Sequence, residues 1–277
     1  MKTVLITGAT SGIGLEAARQ IGAAGEHLVL VGRDKDRLAD AAEAVRAEGA
    51  ARVDTFIADF SSLDAVRALA DDVCVRYDRL DVLVNNAGTV FPRRTLTADG
   101  LEATFAVNHL AGFLLTERLK PLLVASAPSR VLNVSSSGHY QGTMDFDDLG
   151  YEHGYGIMKA YSRSKLANVL YARSLAAELE DTRVTVNALH PGAVATGIWD
   201  RAPWFARPLM AVAKRRMRSP ADGGKAITYL ATSPEVAGQT GGYYEDGGLK
   251  APSHLARDAE VAARLREVSA RLVGLAA

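Results

Sequence analysis

Thr3-Val4-Leu5-Ile6-Thr7-Gly8-Ala9-Thr10-Ser11-Gly12-Ile13-Gly14 carries a β-branched apolar run into a turn of the form Gly-x₃-Gly-x-Gly. Leu15-Glu16-Ala17-Ala18-Arg19-Gln20, which follows, has the composition of a helix. A buried strand that turns straight into a helix leaves the first N–H groups of the helix unpaired and pointing out of the turn. Those donors and the positive end of the helix dipole suit a pyrophosphate. Glycine is needed where a Cβ would block the backbone's approach to the phosphates or strain a positive φ. A glycine trio by itself also fits a plain surface turn. Context decides: a second strand, His27-Leu28-Val29-Leu30-Val31, follows at βαβ distance. The reading is a nucleotide-binding turn in which Gly8, Ser11, Gly12, Ile13 and Gly14 meet the ligand.

Working outward, 277 residues suit a single α/β domain spanning 1–277. Lys+Arg 32 against Asp+Glu 32 gives net charge +0, which argues against a nucleic-acid partner. The one cysteine, Cys74, excludes an intrachain disulfide and a Cys-rich metal site, and no metal site is expected. Cys74 reads as a small apolar residue on a helix. No apolar run approaches the ~18 residues that cross a bilayer. The first strand begins by Thr3, so no signal peptide is expected, and the expected setting is a cytoplasmic protein without a membrane anchor.

The second strand ends at Val31-Gly32-Arg33-Asp34. In a dinucleotide fold an acidic residue here would bind the ribose 2′-OH, whereas an arginine accommodates a 2′-phosphate. Gly32 with Arg33 therefore favours NADP(H) over NAD(H), and Asp34 reads as the cap of a helix from Lys35 to Glu48. A third strand, Val53 to Ala58, ends at Asp59-Phe60. Asp59 has two readings, a contact to an adenine amino group or an N-cap of the helix marked by Leu63, Val66, Leu69 and Val73. The fourth strand, Leu80 to Val84, runs into Asn85-Asn86-Ala87-Gly88, small residues that let backbone approach a ligand. A long helix is expected from Asp99 to Leu119, with Pro121 opening the connection after it. Asn108 in its middle is a poor helix former, so it either has a task or is exposed.

The fifth strand, Arg130 to Val134, ends in Ser135-Ser136-Ser137-Gly138-His139. The polar stretch 140–156 is too long for a tight turn and reads as a functional or disordered loop. Tyr161-Ser162-Arg163-Ser164-Lys165 then opens an amphipathic helix to Glu180. The sixth strand, Arg183 to Leu189, ends at His190-Pro191-Gly192. Ser219-Pro220 marks a helix start, Gly241 to Tyr244 a last strand, and Val261, Leu265, Val268 and Leu272 one face of a terminal helix.

Strands alternating with helices imply a doubly wound parallel sheet, with ligands at the strands' carboxyl ends. Tyr161 and Lys165 then share one helical face. An ammonium beside a phenol favours the phenolate, so Lys165 is expected to lower the Tyr161 pKa toward neutrality. Ser136 either hydrogen-bonds a substrate oxygen or caps a loop. Tyr155 and Lys159 repeat the spacing, but Gly154 and Gly156 disfavour helix around Tyr155.

Taken together, Thr7-Gly8-x₃-Gly12-x-Gly14, Asn85-Asn86-Ala87-Gly88, Asn108, Ser136, Tyr161-x₃-Lys165 and Pro191-Gly192 resemble the short-chain dehydrogenase/reductase family over nearly the whole chain. The resemblance implies a Rossmann fold with a seven-stranded sheet in the order 3-2-1-4-5-6-7. It implies a catalytic tetrad in which Asn108 supports a proton relay, Ser136 orients the carbonyl, Tyr161 exchanges the proton and Lys165 holds the nicotinamide ribose. It also places cofactor against Phe60, Asn86, Ala87, Gly88, Pro191, Val194 and Thr196, besides Arg33, Asp59, Tyr161 and Lys165. Phe105-Ala106-Val107-Asn108-His109-Leu110 and Ser164-Lys165-Leu166-Ala167-Asn168 look most like the retinol-dehydrogenase-like branch, whose members act on lipophilic carbonyls and alcohols. Homodimers or homotetramers pairing the helices of Asn108 and Tyr161 are expected on the same resemblance.

Other readings of the same residues are weaker. A serine hydrolase using Ser136 and His139 lacks the Gly-x-Ser-x-Gly elbow, so His139 reads as a loop or pocket residue. Lys214 to Arg218 reads as a solvated helix face. A non-catalytic NADP sensor or scaffold on the same fold is the alternative function. The stretches 140–156 and 197–218 are expected to wall the substrate pocket.

Overall fold

In the computed structural model, which describes residues 1–194 and 217–275, strands β1 (Thr3–Thr7), β2 (His27–Gly32), β3 (Arg52–Ile57), β4 (Val82–Asn85), β5 (Ser129–Val134), β6 (Val184–His190) and β7 (Tyr243–Glu245) form one sheet. Their order is β3-β2-β1-β4-β5-β6-β7, and every neighbouring pair is parallel. All of β2 is buried, as a strand covered on both faces must be. Successive residues face opposite layers. Val4, Ile6, Leu28 and Leu30 pack under helices α1 (Gly12–Gly22) and α2 (Lys35–Ala47). Leu5, Val29 and Val31 pack under α3 (Leu63–Arg76) and the helices that follow it.

An eighth strand, β8 (Gly248–Lys250), adds antiparallel to β7 at the sheet edge, beyond the seven that the resemblance implies. The turn between them is Asp246-Gly247, with φ of 55 and 76°. Two consecutive positive φ values make the two-residue hairpin that Asp-Gly favours.

The next helix, α4, starts at Ala103–Phe105, passes through a π-helical turn at Ala106–Leu110 and continues as Ala111–Ala125. It begins later than expected because Glu102 is its N-cap, the carboxylate accepting from Thr104 N and Phe105 N at 2.8 Å each. It also runs through Pro121 instead of stopping there. Proline removes one ladder donor, and burial of Leu119 and Leu123 around it keeps the helix in place. Further helices are α5 (Ile157–Glu178), α6 (Pro220–Thr232) and α7 (Ala259–Leu272).

Caps follow the sequence where the caps are local. Asp34 Oδ1 accepts from Asp36 N and Arg37 N at 3.1 Å, and Ser219 Oγ accepts from Asp222 N with Pro220 beside it. Ser62, not Asp59, caps α3. The buried face of α7 is centred on Ala262, Leu265 and Ser269, one position on from the apolar stripe, because Ser269 meets a polar partner on α4. Cys74 is on a helix, α3, but faces solvent. Among the described residues no helix is long and apolar enough to cross a membrane.

Candidate active site

A cleft of about 1200 Å³ lies over the carboxyl ends of the strands. It runs from Arg33 and Asp59, across the glycine turn, to Ser136 and Tyr161. Gly8 and Gly12 take φ of 65 and 56°, which explains glycine at both. Gly14 has a different reason: a Cβ there would come within 2.4 Å of Asn86 Nδ2 and 2.5 Å of Gly8 O. That amide donates to Thr7 O (2.8 Å) and Gly8 O (3.2 Å), and Thr7 Oγ1 accepts from Asn86 N and Ala87 N. Asn86 thus lines the cleft and also staples the β1 turn to the β4 turn. Ser11 gives α1 no side-chain cap, so the N-terminus of α1 faces the cleft with the donors that phosphate needs. The turn and its setting fit a dinucleotide.

Gly32 is packed against Thr10, whose Cγ2 would lie 2.4 Å from a Cβ at that position. No acidic side chain fits there, while Arg33 and Arg37 both line this end of the cleft. Asp59 and Phe60 line it as well, and Asp59 Oδ1 accepts from Ser61 N at 2.9 Å. Ala87, Gly88, Pro191, Gly192 and Val194 complete the lining at the other strand ends. Thr196 and the 197–210 stretch lie outside the described residues. Of the basic run, Arg218 is ion-paired with Asp246 at 2.7 Å.

Ser136, Tyr161 and Lys165 come together at the far end. Ser136 leaves β5 and accepts from Gly138 N at 3.1 Å, so it both caps the next turn and hydrogen-bonds the Tyr161 phenol. Lys165 Nζ donates to Val134 O at 3.0 Å and lies 5.7 Å from the Tyr161 ring centroid. Asn108 is buried behind them and does not line the cleft. Its Oδ1 accepts from Thr89 N (2.7 Å), and its Nδ2 donates to Thr89 O and Ser164 Oγ, each at 3.0 Å. It therefore braces the segment after Gly88 against α5.

The expected lowering of the Tyr161 pKa is not found. Burial pushes the phenol up, and the Ser136 hydrogen bond offsets this in part. Lys165 does not reverse the shift because its own ammonium is desolvated, lowered to about 8 by burial. The rival pair separates as its glycines imply. Tyr155 precedes α5 and donates to Phe91 O at 2.8 Å, while Lys159 is exposed.

His139 is fully buried and lines no part of the cleft. Its Nδ1 donates to Ser136 O at 2.8 Å and its Nε2 accepts from Ser253 N at 3.1 Å. It is a prop beneath Ser136. Of the 140–156 loop only Gln141 reaches the cleft. The rest is drawn onto α5 by buried Arg163, whose Nε donates to Thr143 O at 3.1 Å and whose guanidinium stacks 3.6 Å over the Tyr151 ring. Among the described residues, Phe91, Leu96 and Met158 give the cleft apolar side chains, as does Met217 from the expected 197–218 stretch, of which residues up to 216 lie outside the described residues. Residues Ala160–Ala172 of α5 are all buried within the single chain.

A glycine-turn parallel sheet ending in Ser136, Tyr161 and Lys165 is the architecture of the short-chain dehydrogenase/reductases, an oxidoreductase family that binds a nicotinamide cofactor. The chain belongs to that family, whose short chain dehydrogenase profile matches residues 2–203. Within it the chain is retinol-dehydrogenase-like: it is 42% identical to mouse (Mus musculus) retinol dehydrogenase 14 over 99% of this chain and 86% of that protein. It is 43% identical to a protein of Streptomyces sp. (strain C5) assigned as the daunorubicin C-13 ketoreductase DnrU, over 99% of this chain and 93% of that one. A short chain dehydrogenase structure from Shigella flexneri 2a, complexed with NADP, superposes with TM-score 0.69 at 27% identity, covering 87% of this chain and 95% of that one.

Proposed function

We propose that the protein is an NADP(H)-dependent oxidoreductase that interconverts a lipophilic carbonyl compound and its alcohol through Ser136, Tyr161 and Lys165, with Asn108 in support. The observation that carries this reading is the Ser136 hydroxyl on the Tyr161 phenol, with the Lys165 ammonium on the same helical face, at the end of a cleft that opens over the glycine turn.

When bound, the nicotinamide supplies or takes up the hydride. Ser136 Oγ hydrogen-bonds the substrate oxygen, where charge develops during the reaction. Tyr161 gives that oxygen its proton. A phenol whose pKa is raised by burial is fully protonated at neutral pH, which suits the reductive direction. Lys165 presents its remaining N–H groups to the ribose side of the cleft and holds positive charge near the phenol. Asn108 keeps the Gly88–Thr89 backbone, and so the cleft floor, in register with α5.

Arg33 and Arg37 beside Gly32 support NADP(H), being cations placed where an acidic partner of a free 2′-OH has no room. The apolar mouth formed by Phe91, Leu96, Met158 and Met217 supports a lipophilic substrate, as does the kinship to the retinol and daunorubicin enzymes. The test is NADPH consumption with a panel of long-chain and polycyclic aldehydes and ketones, comparing the intact protein with Tyr161→Phe. Turnover by the intact protein alone supports the reading. NADPH binding without turnover of any carbonyl overturns it in favour of a sensor.

A further inference from the structure

The side chain of Asn168, on α5 one turn beyond Lys165, meets the active site from behind. Its Nδ2 donates to Asn108 O at 3.0 Å and to Val134 O at 3.2 Å. The first carbonyl belongs to the π-helical turn, where Ala111 N bonds back to Ala106 O and the regular ladder is interrupted. The second is the same carbonyl on which Lys165 Nζ rests. Both are acceptors only, which fixes the orientation of the amide: nitrogen toward the carbonyls, Oδ1 away from them.

That Oδ1 lies 3.3 Å from His109 Nδ1, and His109 Nε2 lies 3.0 Å from Ser269 Oγ on the terminal helix α7. An amide oxygen cannot donate, so Nδ1 must carry the imidazole proton. A neutral ring then has Nε2 as acceptor, and Ser269 must donate to it. Phe105, Phe113 and Tyr171 pack around the ring with centroids 5.1, 6.1 and 6.1 Å away. Burial lowers the His109 pKa to about 4, so the ring stays neutral at physiological pH.

We infer that Asn168 is a positioning residue for the reaction, holding the carbonyls of Asn108 and Val134, and through the latter Lys165, with its own amide locked by a one-way hydrogen-bond chain from Ser269 through His109. The terminal helix is thereby part of the apparatus that sets the active-site lysine. The inference rests on the proposed role of Lys165.

The chain has a spectroscopic signature. In full-length protein labelled with ¹⁵N-histidine, with His109→Gln used to assign the signal, His109 should show a protonated Nδ1 and a bare Nε2. The opposite tautomer overturns the inference whatever the activity. Kinetically, Asn168→Asp keeps the shape but replaces the NH2 group, which supplies both donated hydrogens, with a carboxylate oxygen that cannot donate. It should lower kcat by roughly ten- to a hundredfold, with KM for the carbonyl within about twofold because binding of the carbonyl is left intact. His109→Gln, which keeps one donor and one acceptor, should retain most of kcat, whereas His109→Leu should behave like Asn168→Asp. Unchanged kcat in Asn168→Asp, or equal kcat in the two His109 variants, overturns the inference. If Asn168→Asp does not fold, the two His109 variants and the tautomer decide. Tyr161→Phe is the control that separates the two ideas: if it retains activity, the proposed role of the site fails, independently of the tautomer.

Discussion

The two ends of the sheet treat buried charge in opposite ways. At the amino ends, Asp54 is met by every partner its oxygens can use: Tyr77 Oη at 2.9 Å, His27 Nε2 at 2.8 Å, Arg76 at 2.7 Å and Arg52 at 2.9 Å. Burial alone would raise its pKa, yet the hydrogen bonds from Tyr77 and His27 and the two guanidinium charges bring it below the usual carboxylate value. Asp81 nearby accepts from Thr3 N at 2.8 Å and pairs with Arg79 at 2.7 Å. At the carboxyl ends, Lys165 is just as buried but rests on a backbone carbonyl, and burial brings its ammonium down to about 8. A fully answered charge keeps its proton state and holds strands together. A sparsely answered one is poised for proton chemistry. Structure is secured at one edge of the sheet so that reactivity can be built at the other.

The sharpest break in this contrast is Tyr161→Phe, which removes one oxygen from the reactive edge. Initial rates of NADPH consumption should fall by about 10²–10⁴-fold, the usual worth of a positioned proton donor, while NADPH affinity is retained. Next in size, Arg33→Asp should reduce the NADPH/NADH preference by about tenfold or more, as expected for losing a charge-assisted contact to phosphate. An unchanged ratio of the two dissociation constants would refute that role for Arg33. At the opposite edge, Asp54→Ala leaves Tyr77 and His27 without their acceptor and should lower unfolding free energy by about 1–3 kcal/mol. Turnover per folded molecule should not move. A large kinetic effect from Asp54→Ala would dissolve the division between the two edges.

How much of this was written locally in the chain can be judged residue by residue. The glycine turn, the Asp34 and Ser219 caps and the choice of Tyr161 over Tyr155 all follow from neighbours within a few positions, whereas the strand order came from the family resemblance. Glycines at 154 and 156 keep Tyr155 out of the helix, which starts only at Ile157 with Gly156 as its N-cap. The Asp246-Gly247 hairpin carried an equally local signal, although it adds a strand beyond the seven that the family resemblance implies. Other features have no local signature. The π turn at Asn108 exists because α4 must meet both Thr89 and Asn168. Ser269 is buried because His109, far away in sequence, needs a donor. Arg163 looks like a surface arginine until the 140–156 loop folds over it. The phenol's raised pKa was misjudged for a related reason: spacing shows that an ammonium is near, but not that both groups are desolvated.

The smallest effect lies in how stability responds to pH, and there the two edges should bend the curve in different windows. Asp54 has a folded pKa below its ordinary value of 3.8, so the folded state binds fewer protons than the unfolded one in that range. Its contribution is present above about pH 4 and is lost as pH falls through the folded value. Lys165 is also depressed, from 10.5 to about 8, but for a base this means that folding disfavours the charged form. Its penalty is felt below about pH 8 and is relieved as pH rises from about 8 toward the unfolded value, so unfolding free energy should climb over that window. Urea unfolding of the intact protein, Asp54→Asn and Lys165→Met across pH separates the two. Asp54→Asn should flatten only the acid limb, and Lys165→Met only the alkaline rise. If Lys165→Met leaves the alkaline limb unchanged, the ammonium is better answered than its contact with Val134 O implies, and the two edges differ less than their geometry indicates.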